Sequence, residues 1–208
     1  MSFVVQYIYL FNKVFYMELI ILAVIGVLVL YAIFTYNGFV RLTQQTKEAW
    51  ADIDVQMKRR YDLIPNLIES VKGYAAHERE TLDAVIEARA KATQVHIDPS
   101  NITSDQIAAM SGAEAALGAS LGKLMAIAEA YPDLKANQNF LQLQSELSDT
   151  ENKIQASRRF YNGNARDLKI GLQSFPGNVI GNMFAFKAEN FFELPENSIE
   201  REPVKVSF

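Results

Sequence analysis

The sequence predicts an all-α protein: an N-terminal single transmembrane helix followed by an antiparallel up-and-down helical bundle of long helices. Three observations carry this. From Leu19 to Tyr36 the chain reads LIILAVIGVLVLYAIFTY, a run without a charged residue. Beyond it, apolar residues recur in steps of three and four along most of the chain. Glycine and proline number only 10 and 6 in 208 residues, too few to break up a helical protein often. With no cysteine, disulfides, thiolate metal sites and cysteine nucleophiles are excluded. The net charge of −4, with both signs interspersed, argues against nucleic acid as a partner.

Residues 1–18 form a short N-terminal tail in which Met17, followed by Glu18, reads as an alternative start. Residues 19–36 are the anchor. Eighteen residues at about 1.5 Å each span roughly 27 Å, close to the hydrocarbon thickness. Tyr31 and Tyr36 suit the interfacial end, and TYNGFV offers no signal-peptide cleavage site. Lys13 is the one basic residue before the span, whereas Arg41 and Lys47 follow it closely. Positive charge stays inside, so a short tail outside and a cytoplasmic bundle are expected.

The bundle is assigned to residues 37–175. Its first stripe is Trp50, Ile53, Met57, Tyr61, Ile64, Ile68, Val71 and Ala75, and it keeps phase across Pro65. Continuity of phase favours one bent helix in which Pro65 frees the carbonyl of Tyr61. The alternative is a break, with Asp62 capping a new helix. A shorter helix follows on Leu82, Val85, Ile86, Ala88 and Ala92, ending before HIDPSN. The next, starting at Ser104, carries Ile107, Met110, Glu114, Leu117, Leu121, Leu124, Ala128 and Tyr131. YPDLKAN reads as a turn, with Asn137 as the cap of the last long helix. That helix shows Phe140, Leu143, Leu147, Thr150, Ile154, Ser157, Tyr161, Ala165, Leu168, Leu172 and Phe175, a spacing suited to long antiparallel partners. SFPGN ends it. Residues 176–208 form an aromatic tail (Phe184, Phe186, Phe191, Phe192) expected to seal the bundle, with a second membrane contact as the alternative.

The segments YNGFVRL, EAWADIDVQMKRRYDLIPNLIESVKGYAAHE, AEAYPDLKANQNFLQLQSELSDTENKIQASRRFYN and FPGNVI…FAFKAENFFE resemble those of the LemA family, over nearly all the chain from Met17 onward. The stretch YNGNARDLKIGLQSFP and the first sixteen residues depart from the pattern. The resemblance implies a bacterial protein with an N-terminal membrane helix in the cell (inner) membrane, an antiparallel helical bundle and, for some members, association with membrane proteins. It supplies no reaction.

Nothing in the residues supplies one either. His77-Glu78 lacks the second histidine of a zincin motif, since position 81 is Thr. A bundle di-iron site needs Glu-x-x-His, but Tyr74 precedes His77 and Thr93 precedes His96 at that spacing. The one G-x-S-x-G match, Gly118-Ala119-Ser120-Leu121-Gly122, falls inside the helix expected from Ser104, not at the strand-to-helix turn that a nucleophile elbow needs. No catalytic residue, metal, cofactor or small-molecule substrate is therefore expected. The conspicuous polar residues are the basic clusters Arg59-Arg60, with Asp62, and Arg158-Arg159. They read as a polar layer that is either structural, tying the first and last long helices together, or a docking site. The expected function is a non-catalytic scaffold or adaptor binding another membrane or envelope protein. The alternative is a membrane-surface module that contacts or shapes lipid.

Overall fold

The computed structural model describes residues 3–75, 77–95, 97 and 102–192, and all of the regular structure among them is helical. Helix α1 spans Phe3–Lys72 as one uninterrupted element, about 105 Å long at 1.5 Å per residue. The N-terminal tail from Phe3, the apolar run and the first bundle helix are thus one rod. Its apolar N-terminal portion is long enough to cross a membrane, and no residue of its most apolar stretch is buried by protein. A core helix of a soluble domain would be buried there.

Helix α2 (Arg79–Gln94) turns back, α3 (Ser104–Ala130) rises again, the single turn α4 (Pro132–Lys135) crosses over, and α5 (Gln138–Gln173) descends beside α1. Helix α6 (Gly177–Met183) closes the chain's path at the foot of that pair. The register of α1 against α5 is set by two contacts. Trp50 meets the Tyr161 ring at 5.8 Å, and Arg60 meets Glu151 at 2.7 Å, so ten residues up α1 match ten residues back along α5.

The α2–α3 hairpin is too short to accompany the α1–α5 pair along its whole height. It completes a four-helix core at the distal end, where Ile64, Leu67, Leu117, Leu124, Leu134 and Ile154 are fully enclosed. Below it the C-terminal segment takes over. Phe192 stacks on Trp50 at 5.5 Å and meets Tyr161 edge-on at 5.8 Å. Asn162 pins its backbone in both directions: the side-chain amide donates to the Phe192 carbonyl, and the amide oxygen accepts from the Phe192 N–H. Asn190 donates to the Ile102 carbonyl at 2.9 Å, joining this strap to the start of α3. The rest of the tail, beyond Phe192, lies outside the described residues, as does His96.

Local chemistry explains the ends of the helices. Thr103 and Gln106 form a reciprocal capping box on α3, one residue before the start expected at Ser104. Asn137 caps α5 by accepting from the Phe140 N–H. Helix α6 ends with Ala185 at φ 55°, while Phe186 N–H reaches the Gly181 carbonyl and Ala185 N–H the Asn182 carbonyl. This is a Schellman closure built on alanine, where glycine would avoid the Cβ penalty. Glycine is required at the foot itself. A Cβ on Gly171 would come within 2.6 Å of the Phe39 ring, and one on Gly177 within 2.7 Å of the Gly171 carbonyl.

Helix α1 continues through Pro65 without a break. The Tyr61 carbonyl, which Pro65 cannot serve, accepts instead from Arg89 Nε of α2 at 2.8 Å. The neighbouring helix therefore supplies the donor that the imino acid lacks. Two expected core positions are overturned. Ile86 is half exposed because α2 turns Leu82, Val85, Ala88 and Ala92 to the core, and Phe175 is 82% exposed because α5 ends at Gln173, before it. The turn expected at YPDLKAN is a single turn of helix, Pro132–Lys135, between the end of α3 and the Asn137 cap of α5.

Candidate functional site

The one buried cluster of opposite charges among the described residues lies midway up the bundle. Arg60 lies three residues after Met57 and four before Ile64, on the buried face of α1, so its guanidinium is carried inward beside the core. Nη1 donates to Glu114 Oε2 at 3.2 Å and to Glu151 Oε2 at 2.7 Å, linking α1 to α3 and α5. The side chains of Arg60 and Glu114 are 9% and 5% exposed, whereas Glu151 stands at the rim. The Tyr61 hydroxyl donates to the other oxygen of Glu114. Both carboxylate oxygens of Glu114 are thus satisfied, as a buried anion requires.

Burial raises the Tyr61 phenol well above its ordinary range, and the Glu114 carboxylate beside it pushes the same way. Arg158 completes the group one step lower. Its guanidinium carbon lies 4.9 Å over the ring of Phe192, and its Nε and Nη2 are buried without a hydrogen bond among the described residues. Burial lowers its affinity for its proton, and Glu114 and Glu151 act against that. With two cations and two anions the layer is balanced in charge.

The structure divides the sequence-predicted residues. Arg60 and Arg158 belong to this layer. Arg59 lies on the solvent side and reaches Glu146 only at 3.9 Å, while Asp62 and Arg159 are exposed. Asp52 and Asp54, acids near the first cluster in sequence, are exposed too. Glu114 is the residue that the inspection of basic clusters missed. Its signal was present, since a glutamate at a stripe position must point inward with the leucines.

Chemically the layer offers little besides cohesion. Its acids are engaged by Arg60 and Tyr61, and the Tyr61 hydroxyl that meets Glu114 is enclosed with it, away from solvent. No group of three or more His, Cys, Asp or Glu side chains that could hold a metal occurs among the described residues. His77 is exposed.

Comparison with known proteins places the chain in a family. The model of the LemA family matches residues 49–208. The chain belongs to the LemA family. A LemA protein of Metamycoplasma hominis is 27% identical over 195 residues, covering 93% of this chain and 84% of the relative. Magnetosome protein MamQ 2 of Paramagnetospirillum magneticum is 24% identical over 194 residues, 84% of this chain and 71% of its own. Magnetosome protein MamQ of Magnetospirillum gryphiswaldense is 24% identical over 174 residues, 76% and 64%. The family match starts at Ala49, one residue before Trp50, so it takes in the whole charged layer and the Trp50–Tyr161–Phe192 cluster. The apolar half of α1 lies upstream of the LemA match.

Proposed function

We propose that this LemA family protein is a non-catalytic, membrane-anchored scaffold that holds another membrane or envelope protein at a set height above the bilayer. One observation carries this reading: α1 passes from the apolar run into the bundle core without a linker. An enzyme domain or a flexible fishing tether needs no such rigid join. In this reading the Arg60–Glu114–Glu151–Arg158 layer is structural, since its centre is closed to solvent, and docking uses an outer helical face. The outer face of α5 presents an exposed strip, Leu141, Gln144, Ser145, Ser148, Asp149 and Asn152, whose two serines leave room for a partner helix to approach. The bundle lies on the cytoplasmic side, in keeping with Arg41 and Lys47.

The test is photo-crosslinking in native membranes, with a photoreactive residue at Leu141 or Ser148 of the full-length chain. The expected result is a discrete protein adduct, the same one from both positions. Adducts to lipid alone, or no adduct from either position, would sink the scaffold reading. A second reading, contact with lipid, is favoured by a different part of the surface.

A further inference from the structure

From Ile170 to Phe186 the chain carries no charged residue, and Lys169 and Lys187 flank this stretch. It folds into the end of α5, the turn and α6, a corner that is apolar on both sides. Inward, Gly177, Ile180 and Gly181 are buried against Phe39 and Leu172. Outward, Phe175, Val179 and Met183 follow one another at intervals of four and are 82%, 50% and 69% exposed. Three large apolar side chains exposed together, beside the exposed Asn182, mark a surface that something apolar covers.

The corner's position says what covers it. The ring of Phe184 lies 4.7 Å from that of Tyr36, the last residue of the apolar run, and Phe186 lies 5.5 Å from it. Ala32, a full turn inside the run, is partly buried and packs on the cluster of Phe39, Leu168 and Ile180, the last of these in the corner. One helical turn is about 5.4 Å. A bilayer that wraps the run as far as Tyr36 therefore reaches the corner as well. Lys187 and Arg41 are exposed close by, where cationic side chains meet headgroups.

We propose that the α5–α6 corner is seated in the interfacial zone of the bilayer as a second, non-spanning lipid contact, with Phe175, Val179 and Met183 turned toward the acyl chains. This rests on the reading of α1 as a membrane anchor, and its occupant is lipid rather than a protein groove. Because the native chain has no cysteine, single cysteines report cleanly.

The full-length chain is reconstituted into phosphatidylcholine–phosphatidylglycerol vesicles with a fluorescent label on Val179→Cys, Met183→Cys, Leu28→Cys or the distal control Ala136→Cys. Nitroxide lipids then quench at shallow or deep positions. Shallow quenching at 179 and 183 several-fold above that at 136, with deep quenching at 28, is expected. Quenching at 28 but not at 179 and 183 leaves the anchor standing and overturns the corner. Absence of quenching at 28 overturns both. Labels at 179 and 183 that are shielded from an aqueous quencher yet untouched by nitroxide lipid would place a protein there, and that too overturns the proposal.

Discussion

Arg60 and Glu114 show how much one pair of side chains can hold. Each is almost wholly enclosed, and each leaves a buried charge behind if its partner is removed. Such stranding costs about 3–5 kcal/mol, whereas exposed pairs are worth about 0–1 kcal/mol. Arg60→Ala and Glu114→Ala are therefore each expected to lower unfolding stability by about 3–5 kcal/mol. Arg59→Ala and Arg159→Ala should stay within about 1 kcal/mol of the parent. Denaturant titration of the detergent-solubilised chain gives these values. The triple change Arg60→Met, Tyr61→Phe and Glu114→Leu should recover much of the loss, because a well-packed apolar group replaces a buried ion pair and its hydroxyl partner at little cost. If Arg60→Ala unfolds like the parent, the layer is not structural. Both arginine clusters were legible in the sequence, but which member of each turns inward was not. Adjacent residues on a helix are rotated by about 100°, so the facing arginine is chosen only once the partner helices are in place.

At the scale of the element, Pro65 and Arg89 form a unit across two helices. The Tyr61 carbonyl accepts from Arg89 because Pro65 offers no N–H. Arg89→Ala should leave that carbonyl without a partner and cost about 1–3 kcal/mol. In a Pro65→Ala background residue 65 regains its N–H, the carbonyl is served within α1, and the cost of Arg89→Ala should shrink. A double-mutant cycle on unfolding free energy measures this coupling, and strictly additive changes would show that Arg89 does not stand in for the missing donor. The passage of the helix through Pro65 was legible because the apolar stripe keeps its phase across the proline. The freed carbonyl was legible too, from the spacing of the helical bond. Its new donor was not, since Arg89 lies on another helix and looks like any charged surface residue. The packing of Phe192 on Trp50 was equally hidden: a tail phenylalanine announces burial or lipid contact without saying which.

At the scale of the whole molecule, the order of helices followed from periodicity, while their unequal heights did not. A sequence shows that α2 is short; only the fold shows that the strap ending at Phe192 replaces the α2–α3 hairpin along the lower part of the α1–α5 pair. The side of the membrane is a question of the same scale. Arg41 and Lys47 follow the apolar run, and Lys13 alone precedes it. With a cysteine at Asn139, an exposed position at the distal end, intact cells should show no labelling by an impermeant thiol reagent, and broken cells should label readily. Labelling in intact cells would reverse the orientation.

The unbroken α1 also makes the protein a lever. From Tyr36 to Lys72 the helix extends roughly 54 Å beyond the apolar run at 1.5 Å per residue. A spanning helix accommodates a thinner bilayer by tilting. With no hinge at the surface, the tilt is passed to the bundle undiminished, and about 10° of it swings the distal end by roughly 9 Å. In a chain anchored by that run, bilayer thickness at one end would become displacement at the other, where Tyr131 donates to Glu78 and Asn137 to the Tyr74 hydroxyl.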